Sequence, residues 1–196
     1  MLSGLYSRQK IGDEAAYRKK LAMTQSHFRP DMAVREIGCG TGGTAAIHAP
    51  FVASYEAVDF SAKMLAIARQ RIADAGVTNV TLRQGALDEL EAQGDFDAVL
   101  TLSLIHLLKD PDAGIDHVAA MLKPGGLFVS STECLGGRHG WLKFMGPLRA
   151  LGLFPILSRF TRDALETSIR TAGFEILESW KPNTSATIFI IARKIK

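Results

Sequence analysis

Cysteine is scarce in this chain: Cys39 and Cys134 are the two it has. Two cysteines make no disulfide framework, and neither has a C-x-x-C neighbour. The five histidines show no metal-ligand spacing, so no metal site is expected. Dense basic runs are missing, and a net charge of +3 does not mark a nucleic-acid-binding surface. No stretch of about 18 uncharged apolar residues occurs, which argues against a transmembrane helix and stable membrane insertion. The opening M-L-S-G-L-Y-S-R-Q-K lacks the apolar core and cleavage site of a secretory signal. A cytoplasmic location is therefore expected. Internal repeats, low-complexity segments and linkers are absent as well. What is present is 196 residues, 47% hydrophobic and 22% charged. That is enough chain for one domain, 1–196, with a sizeable core. The sequence is compatible with a homo-oligomer.

The stretch that stands out is A-V-R-E-I-G-C-G-T-G-G at 33–43. A strand from Ala33 to Ile37 runs into glycines, and a helix from Thr44 to His48 leaves them. Gly38, Gly40 and Gly42 have no Cβ, so the main chain there admits φ > 0 and close approach of a ligand. The N–H groups that open the following helix suit an anion. Gly38, Gly40 and Gly43 also satisfy G-x-G-x-x-G, and Asp59 stands about 20 residues on, where a ribose-binding acid is expected. Together these features predict an adenosine-containing ligand. No G-K-[ST] follows the glycines, which disfavours a phosphate P-loop.

The rest of the chain alternates. A helix is predicted over 13–27, capped by Asp13 and ended by Arg29-Pro30. Its charges Arg18, Lys19 and Lys20 read as a solvated face. Val52 to Phe60 carries the second strand. Ser61 caps a helix through Ala75, with Met64, Leu65, Ala68 and Ile72 at helical spacing and Gly76 as its stop. A third strand starts at Val80, followed by a short acidic helix or turn at 87–93. Phe96 to Leu102 is apolar nearly throughout, as a strand covered on both faces should be. Pro111 to Leu122 reads as helix, Lys123 to Gly126 as a turn, and Leu127 to Thr132 as strand five. This β-α alternation implies a doubly wound α/β fold with a mostly parallel sheet. After residues 134–160, Thr161 caps a helix to Ala172. Two strands, Phe174 to Trp180 and Thr187 to Ala192, close the chain. Their short connection requires an antiparallel hairpin.

E-I-G-C-G-T-G-G, A-V-D-F-S-A-K-M-L, F-D-A-V-L-T-L-S-L-I-H-L-L and M-L-K-P-G-G-L-F-V-S, in that order, resemble the successive motifs of class I S-adenosylmethionine-dependent methyltransferases. The likeness is to the small-molecule enzymes of the methyltransferase-11/12 type and covers about residues 30–194. It implies a Rossmann-like seven-stranded sheet with the last strand antiparallel, S-adenosyl-L-methionine as cofactor, and methyl transfer to a small, partly apolar acceptor. It also implies site residues. Glu36 would orient the loop or the methionine amino group, and Gly38, Cys39 and Gly40 would line the methionine moiety. Asp59 would accept from both ribose hydroxyls, and Phe60 and Met64 would pack the adenine. Leu102 and Ser103 would face the reacting centre. Many relatives carry an acid after strand three for the adenine amino group. Here Asp88 is displaced, which leaves Ala86 and Leu87 to hold the ring by backbone and apolar contact.

A sulfonium-bound methyl group is already activated, so the protein need only position a nucleophile, and a base is optional. His106, shortly after strand four, is the foremost candidate base; packing among Leu104, Leu107 and Leu108 is the competing reading. Glu133 and His139 are weaker candidates, and His117 is expected to lie away from the site. No N/D-P-P-Y sequence follows strand four, which disfavours amine methylation of DNA. Residues 134–160, rich in leucine and aromatics, are expected to cover the acceptor pocket, with plain packing or membrane contact as alternatives. Residues 1–29 would form an N-terminal cap helix, with Tyr6 and Tyr17 closing the cofactor side. Two other functions compete: a nicotinamide-dependent oxidoreductase, from the overlapping G-x-G-x-x-G, and a non-catalytic cofactor-binding protein of the same fold.

Overall fold

The four longer helices begin where a side chain satisfies one of their first free N–H groups. The computed structural model describes residues 13–134, 161–182 and 185–196. Helix α1 is Glu14–Gln25, opened by Asp13, whose carboxylate accepts the Ala16 N–H at 2.9 Å. Strand β1 is Ala33–Ile37, and a short helix α2, Gly43–His48, follows it. Then come β2 Ser54–Asp59, α3 Ala62–Asp74 and β3 Val80–Gln84. Strand β4 is Phe96–Leu102 and α4 is Pro111–Met121, capped by Asp110. Strand β5 is Leu122–Glu133, α5 is Arg162–Thr171, and the strands β6 Phe174–Trp180 and β7 Thr187–Lys194 end the fold.

The strands form one seven-stranded sheet in the order β3-β2-β1-β4-β5-β7-β6. All pairs from β3 to β5 are parallel; β7 runs antiparallel to both β5 and β6. The fold is thus the expected α/β sheet of six parallel strands with the last reversed. Its central strands bury side chains on both faces. Val99, Phe128, Ile188 and Ile190 pack under α4 and α5. Val34, Ala57, Leu100, Val129 and Phe189 pack with the α2 and α3 residues Ala45, Leu65 and Ala68. Each fully buried aliphatic or phenyl group contributes roughly 1.5–3 kcal/mol.

Strand five departs from expectation at its start. Leu122 already pairs with Phe96, and the ladder then shifts register so that Ala98 meets Leu127. The intervening Lys123–Gly126 forms a bulge rather than a turn outside the strand. Gly125 takes φ 77°, and a Cβ on Gly126 would sit 2.8 Å from the Lys123 carbonyl oxygen. Lys123 in turn ties back to Asp97 at 2.9 Å. No helix among the described residues is long and apolar enough to cross a membrane. The expectations for residues 1–12 with Tyr6, and for the cover at 135–160 with His139, lie outside the described residues.

Candidate functional site

In this strand order the chain winds outward from β1 through β2 to β3, then returns to β4 beside β1. The carboxyl ends of β1 and β4 therefore part, and open α/β sheets place their ligands in such a crevice. The glycine loop fills the β1 side. Its main chain is pinned by the neighbouring strand: the N–H groups of Gly38 and Cys39 both donate to Val58 O, at 2.8 and 2.9 Å. Asp59, at the tip of β2, accepts the Gly40 N–H at 2.8 Å through Oδ2 and the Ser61 N–H at 2.9 Å through Oδ1. The two tips thus touch, and the carboxylate, 6% exposed, sets the loop's shape. Gly40 has φ 54° and nothing within 4 Å of where a Cβ would stand, so the main chain is bare to the space beside it. Gly42 is the opposite case. At φ 71° its missing Cβ would lie 2.8 Å from the Ala68 Cβ, so α3 packs directly on the loop.

Two cavities adjoin this loop, and Gly38 forms part of the wall of both. The larger, about 580 Å³, is mostly apolar; Phe60, Ala86, Leu87 and Leu104 line it, with Asp88 and His117 among its polar groups. Phe60 is 75% exposed, an unusual position for a phenyl ring with nothing upon it. The smaller, about 240 Å³, carries the greater polar share of the two: Glu36, Ser103 and Ser131 line it with Tyr17, Lys20 and Thr44, beside the apolar Leu21, Cys39, Leu102 and Phe189.

The sequence-expected residues distribute as follows. Glu36, Gly38, Cys39, Leu102 and Ser103 line the smaller cavity, and Gly38, Phe60, Ala86 and Leu87 the larger. Gly40 and Asp59 lie between the strand tips, hydrogen-bonded to each other. Met64 is on the first turn of α3, its N–H 3.4 Å from the capping Ser61 Oγ, and its side chain is in neither wall. His106 is also in neither wall: it is buried, and its Nδ1 faces the Glu133 N–H at 3.4 Å. Burial lowers the His106 pKa against the opposing charge of Glu133.

Three placements were not anticipated. His117 lines the larger cavity, its Nε2 2.9 Å from the Leu90 carbonyl oxygen, instead of lying away from the site. Asp88 reaches that cavity too. Lys20 points inward, with Nζ donating to Ser131 Oγ at 2.9 Å, while Arg18, paired to Glu14, and Lys19 are exposed as expected. The signal for Lys20 was present: Tyr17, Lys20, Leu21 and Thr24 share one helical face at spacings of three, four and seven, and all line the smaller cavity.

The electrostatics follow from burial. Glu36 is raised from 4.5 to about 7, chiefly by desolvation; the Tyr55 hydroxyl, donating to its Oε2 at 2.9 Å, opposes this, and Asp59 adds to it. Burial pushes the Cys39 thiol far up, and the charges of Glu36 and Asp59 reinforce it, so this cysteine is no nucleophile. His48, in the wall of the smaller cavity, is pushed down to about 4 by burial and stays neutral. Its Nδ1 is buried with no partner among the described residues. Ser103 holds φ 66°, rare for a residue with a side chain, and its N–H donates to Ser131 O at 2.7 Å.

Glu36 gives a pH prediction. The folded form holds its proton more tightly than the unfolded chain does. The stabilisation is therefore complete below about pH 4.5 and lost as pH rises through about 7. At 1.36 kcal/mol per pH unit the loss amounts to roughly 3 kcal/mol. Glu36→Gln, neutral throughout, should flatten the decline in melting temperature between about pH 5 and pH 8. An equally steep decline in the variant would remove Glu36 as its cause.

Comparison with known proteins places these features among relatives. A family model described as methyltransferase domain matches residues 34–126. The chain is 26% identical over 153 residues to the ubiquinone biosynthesis O-methyltransferase of Paracidovorax citrulli, covering 74% of this chain. It spans 64% of that relative's length, less than two thirds. The fold matches the YcgJ protein of Bacillus subtilis at TM-score 0.74 and 17% identity, covering 91% of this chain and 99% of that one. It also matches the N-methyltransferase NodS of Bradyrhizobium japonicum, solved with S-adenosyl-L-homocysteine, at TM-score 0.73 and 16% identity, covering 96% and 90%.

Proposed function

We propose that this chain, whose residues 34–126 match a methyltransferase-domain model, is a class I S-adenosylmethionine-dependent methyltransferase that binds S-adenosyl-L-methionine along the two cavities beside Gly38 and methylates a small, partly apolar acceptor. The observation that carries the reading is the shared Gly38 wall. An apolar chamber suited to a nucleobase lies across Gly38 from a more polar one suited to an amino acid, at the strand tips where a carboxylate meets bare main chain. The residues fit the cofactor. Both Asp59 oxygens hold one N–H each and keep lone-pair capacity for a ribose diol. Phe60, Ala86, Leu87 and Leu104 would enclose adenine, and Glu36 would take the ammonium in its ionised form. When bound, the cofactor supplies a methyl group already activated by its sulfonium.

The chain's own task is then to hold the acceptor and exclude water. Leu102 and Ser103, beside Ser131 at the end of β5, would border the reacting end. The Nδ1 contact to Glu133 supports a positioning role for His106, bracing the end of β5 where residues 135–160 depart. Methylation of oxygen on an apolar acceptor is favoured by the named function of the Paracidovorax relative and by the leucine- and aromatic-rich composition of 134–160.

Calorimetry with S-adenosyl-L-homocysteine should show one site with micromolar affinity, and NADH should show none. NADH binding at the same site would transfer the reading to the nicotinamide class. Methyl transfer from labelled cofactor to a panel of phenols and catechols then tests the acceptor; binding without turnover on any of them favours the non-catalytic alternative. Phe60→Ala is expected to weaken S-adenosyl-L-homocysteine about 5- to 20-fold, from lost stacking area, with little change in melting temperature because the ring is exposed in the free protein.

A further inference from the structure

The larger cavity has more room than a nucleobase needs. It measures about 580 Å³, against about 240 Å³ for the cavity assigned to the amino-acid end. Pockets of roughly 300–1,000 Å³ bury a drug-sized molecule, and adenine is a small part of one. The cavity also has two distinct ends. Phe60 and Gly85 stand just past the tips of β2 and β3, beside Asp59. Leu107, Leu108, Ala113 and His117 belong to the turn after β4 and to the first half of α4. A ribose held by Asp59 would set the five-membered ring of adenine at the first end. The six-membered ring, with its 6-amino group, is the part of the base remote from the ribose and would face the second. Three features keep that second end open. α4 carries no side chain at Gly114, and Leu108 lies in the notch: a Cβ there would stand 2.4 Å from Leu108 Cδ1. Position 86, just past Gly85, is an alanine, so no carboxylate there claims both amino hydrogens. The polar groups at this end are engaged by the protein itself, His117 Nε2 at 2.9 Å from Leu90 O and the Asp110 carboxylate as the acceptor of the Ala113 N–H at 3.1 Å. The Leu107 side of the opening is apolar surface as well, 42% exposed.

We propose that the far end of the larger cavity is a separate subsite for an apolar substituent on the adenine 6-amino group, so that the chain accepts adenosyl cofactors enlarged at that position. This rests on the cofactor reading above and extends it to cofactor specificity. A substituted amino group keeps one N–H for a hydrogen bond. Its added apolar surface leaves water for a mostly apolar wall, which is favourable. Leu108 and Gly114 determine the specificity, because the depth of the notch sets how far a substituent can reach. The substituent and the sulfonium lie at opposite ends of the nucleoside, so the enlargement does not disturb the reacting end.

The test is calorimetry with S-adenosyl-L-homocysteine and its derivative carrying a benzyl group on the 6-amino nitrogen. The unaltered chain should bind the benzyl derivative within about threefold of the parent ligand, or more tightly. Weaker binding than that overturns the proposal. Gly114→Ala fills the notch and turns Leu108 into the cavity; alanine is the better helix former, so α4 should persist. It should weaken the benzyl derivative at least about tenfold more than the parent ligand. Ala113→Leu, at an exposed position of the same helix turn, narrows the same end and should discriminate in the same direction even if Gly114→Ala does not fold. Equal effects on the two ligands in the folded variants would put the benzyl group elsewhere and overturn the proposal too. An unaltered chain that binds S-adenosyl-L-homocysteine and rejects the derivative leaves the cofactor reading intact. One that binds neither overturns the reading and this inference together.

Discussion

Asp59→Ala is expected to reduce the affinity for S-adenosyl-L-homocysteine by at least about a hundredfold. Two losses combine. The first is direct: a charged acceptor for two ribose hydroxyls is worth about 1.5–3 kcal/mol per bond when it is screened from water. The second acts through the loop. With the carboxylate gone, the Gly40 and Ser61 N–H groups lose acceptors at 2.8 and 2.9 Å. Gly40, whose open side imposes no packing, is then free to leave its φ of 54°. Asp59→Asn separates the two, because one amide oxygen can still take one of the N–H groups and the fold should suffer less. Calorimetry and thermal melting on both variants measure the effect. Undiminished affinity in a folded Asp59→Ala protein would end the assignment of this carboxylate to the ligand.

Gly42→Ala should have the largest effect on stability, about 2–5 kcal/mol. A left-handed backbone costs an alanine about 1–2 kcal/mol. The added methyl would also sit 2.8 Å from Ala68 Cβ and 3.1 Å from Ala68 Cα, which α3 cannot yield without moving off the sheet. For a chain of this size that corresponds to a fall in melting temperature of roughly 5–15 °C. Gly40→Ala provides the contrast: its φ is also positive, but there is nothing for its methyl to meet. It should cost only about 1–2 kcal/mol while placing a methyl where the ligand is proposed to approach. Urea unfolding of both variants separates packing from ligand space. A Gly42→Ala protein as stable as the parent would show that α3 does not press on the loop in this way.

The two variants also mark how far sequence reading reached. The loop was legible because its causes are local: a strand's apolar run, three glycines, and an acid at the spacing of the next strand tip. Helix starts were legible for the same reason, since Asp13, Ser61 and Thr161 each accept an N–H three residues on. Glycine gave no hint of which of its members guards packing and which guards open space. That difference depends on Ala68, which lies 26 residues further along the chain than Gly42. The bulge at Lys123–Gly126 was read as a turn because its defining contact, Leu122 to Phe96, is made across strands.

By itself the sequence determined the α/β alternation, the reversed final strand and the strand–glycine–helix turn, because periodicity, caps and backbone permissiveness act within a few residues. Only the tertiary structure decided that Lys20 faces inward, that His117 and Asp88 reach the larger cavity, and that Glu36 is raised to about 7. Those are matters of which surfaces meet and how much water they exclude. Desolvation is set by groups far apart in the chain, and no local pattern carries it.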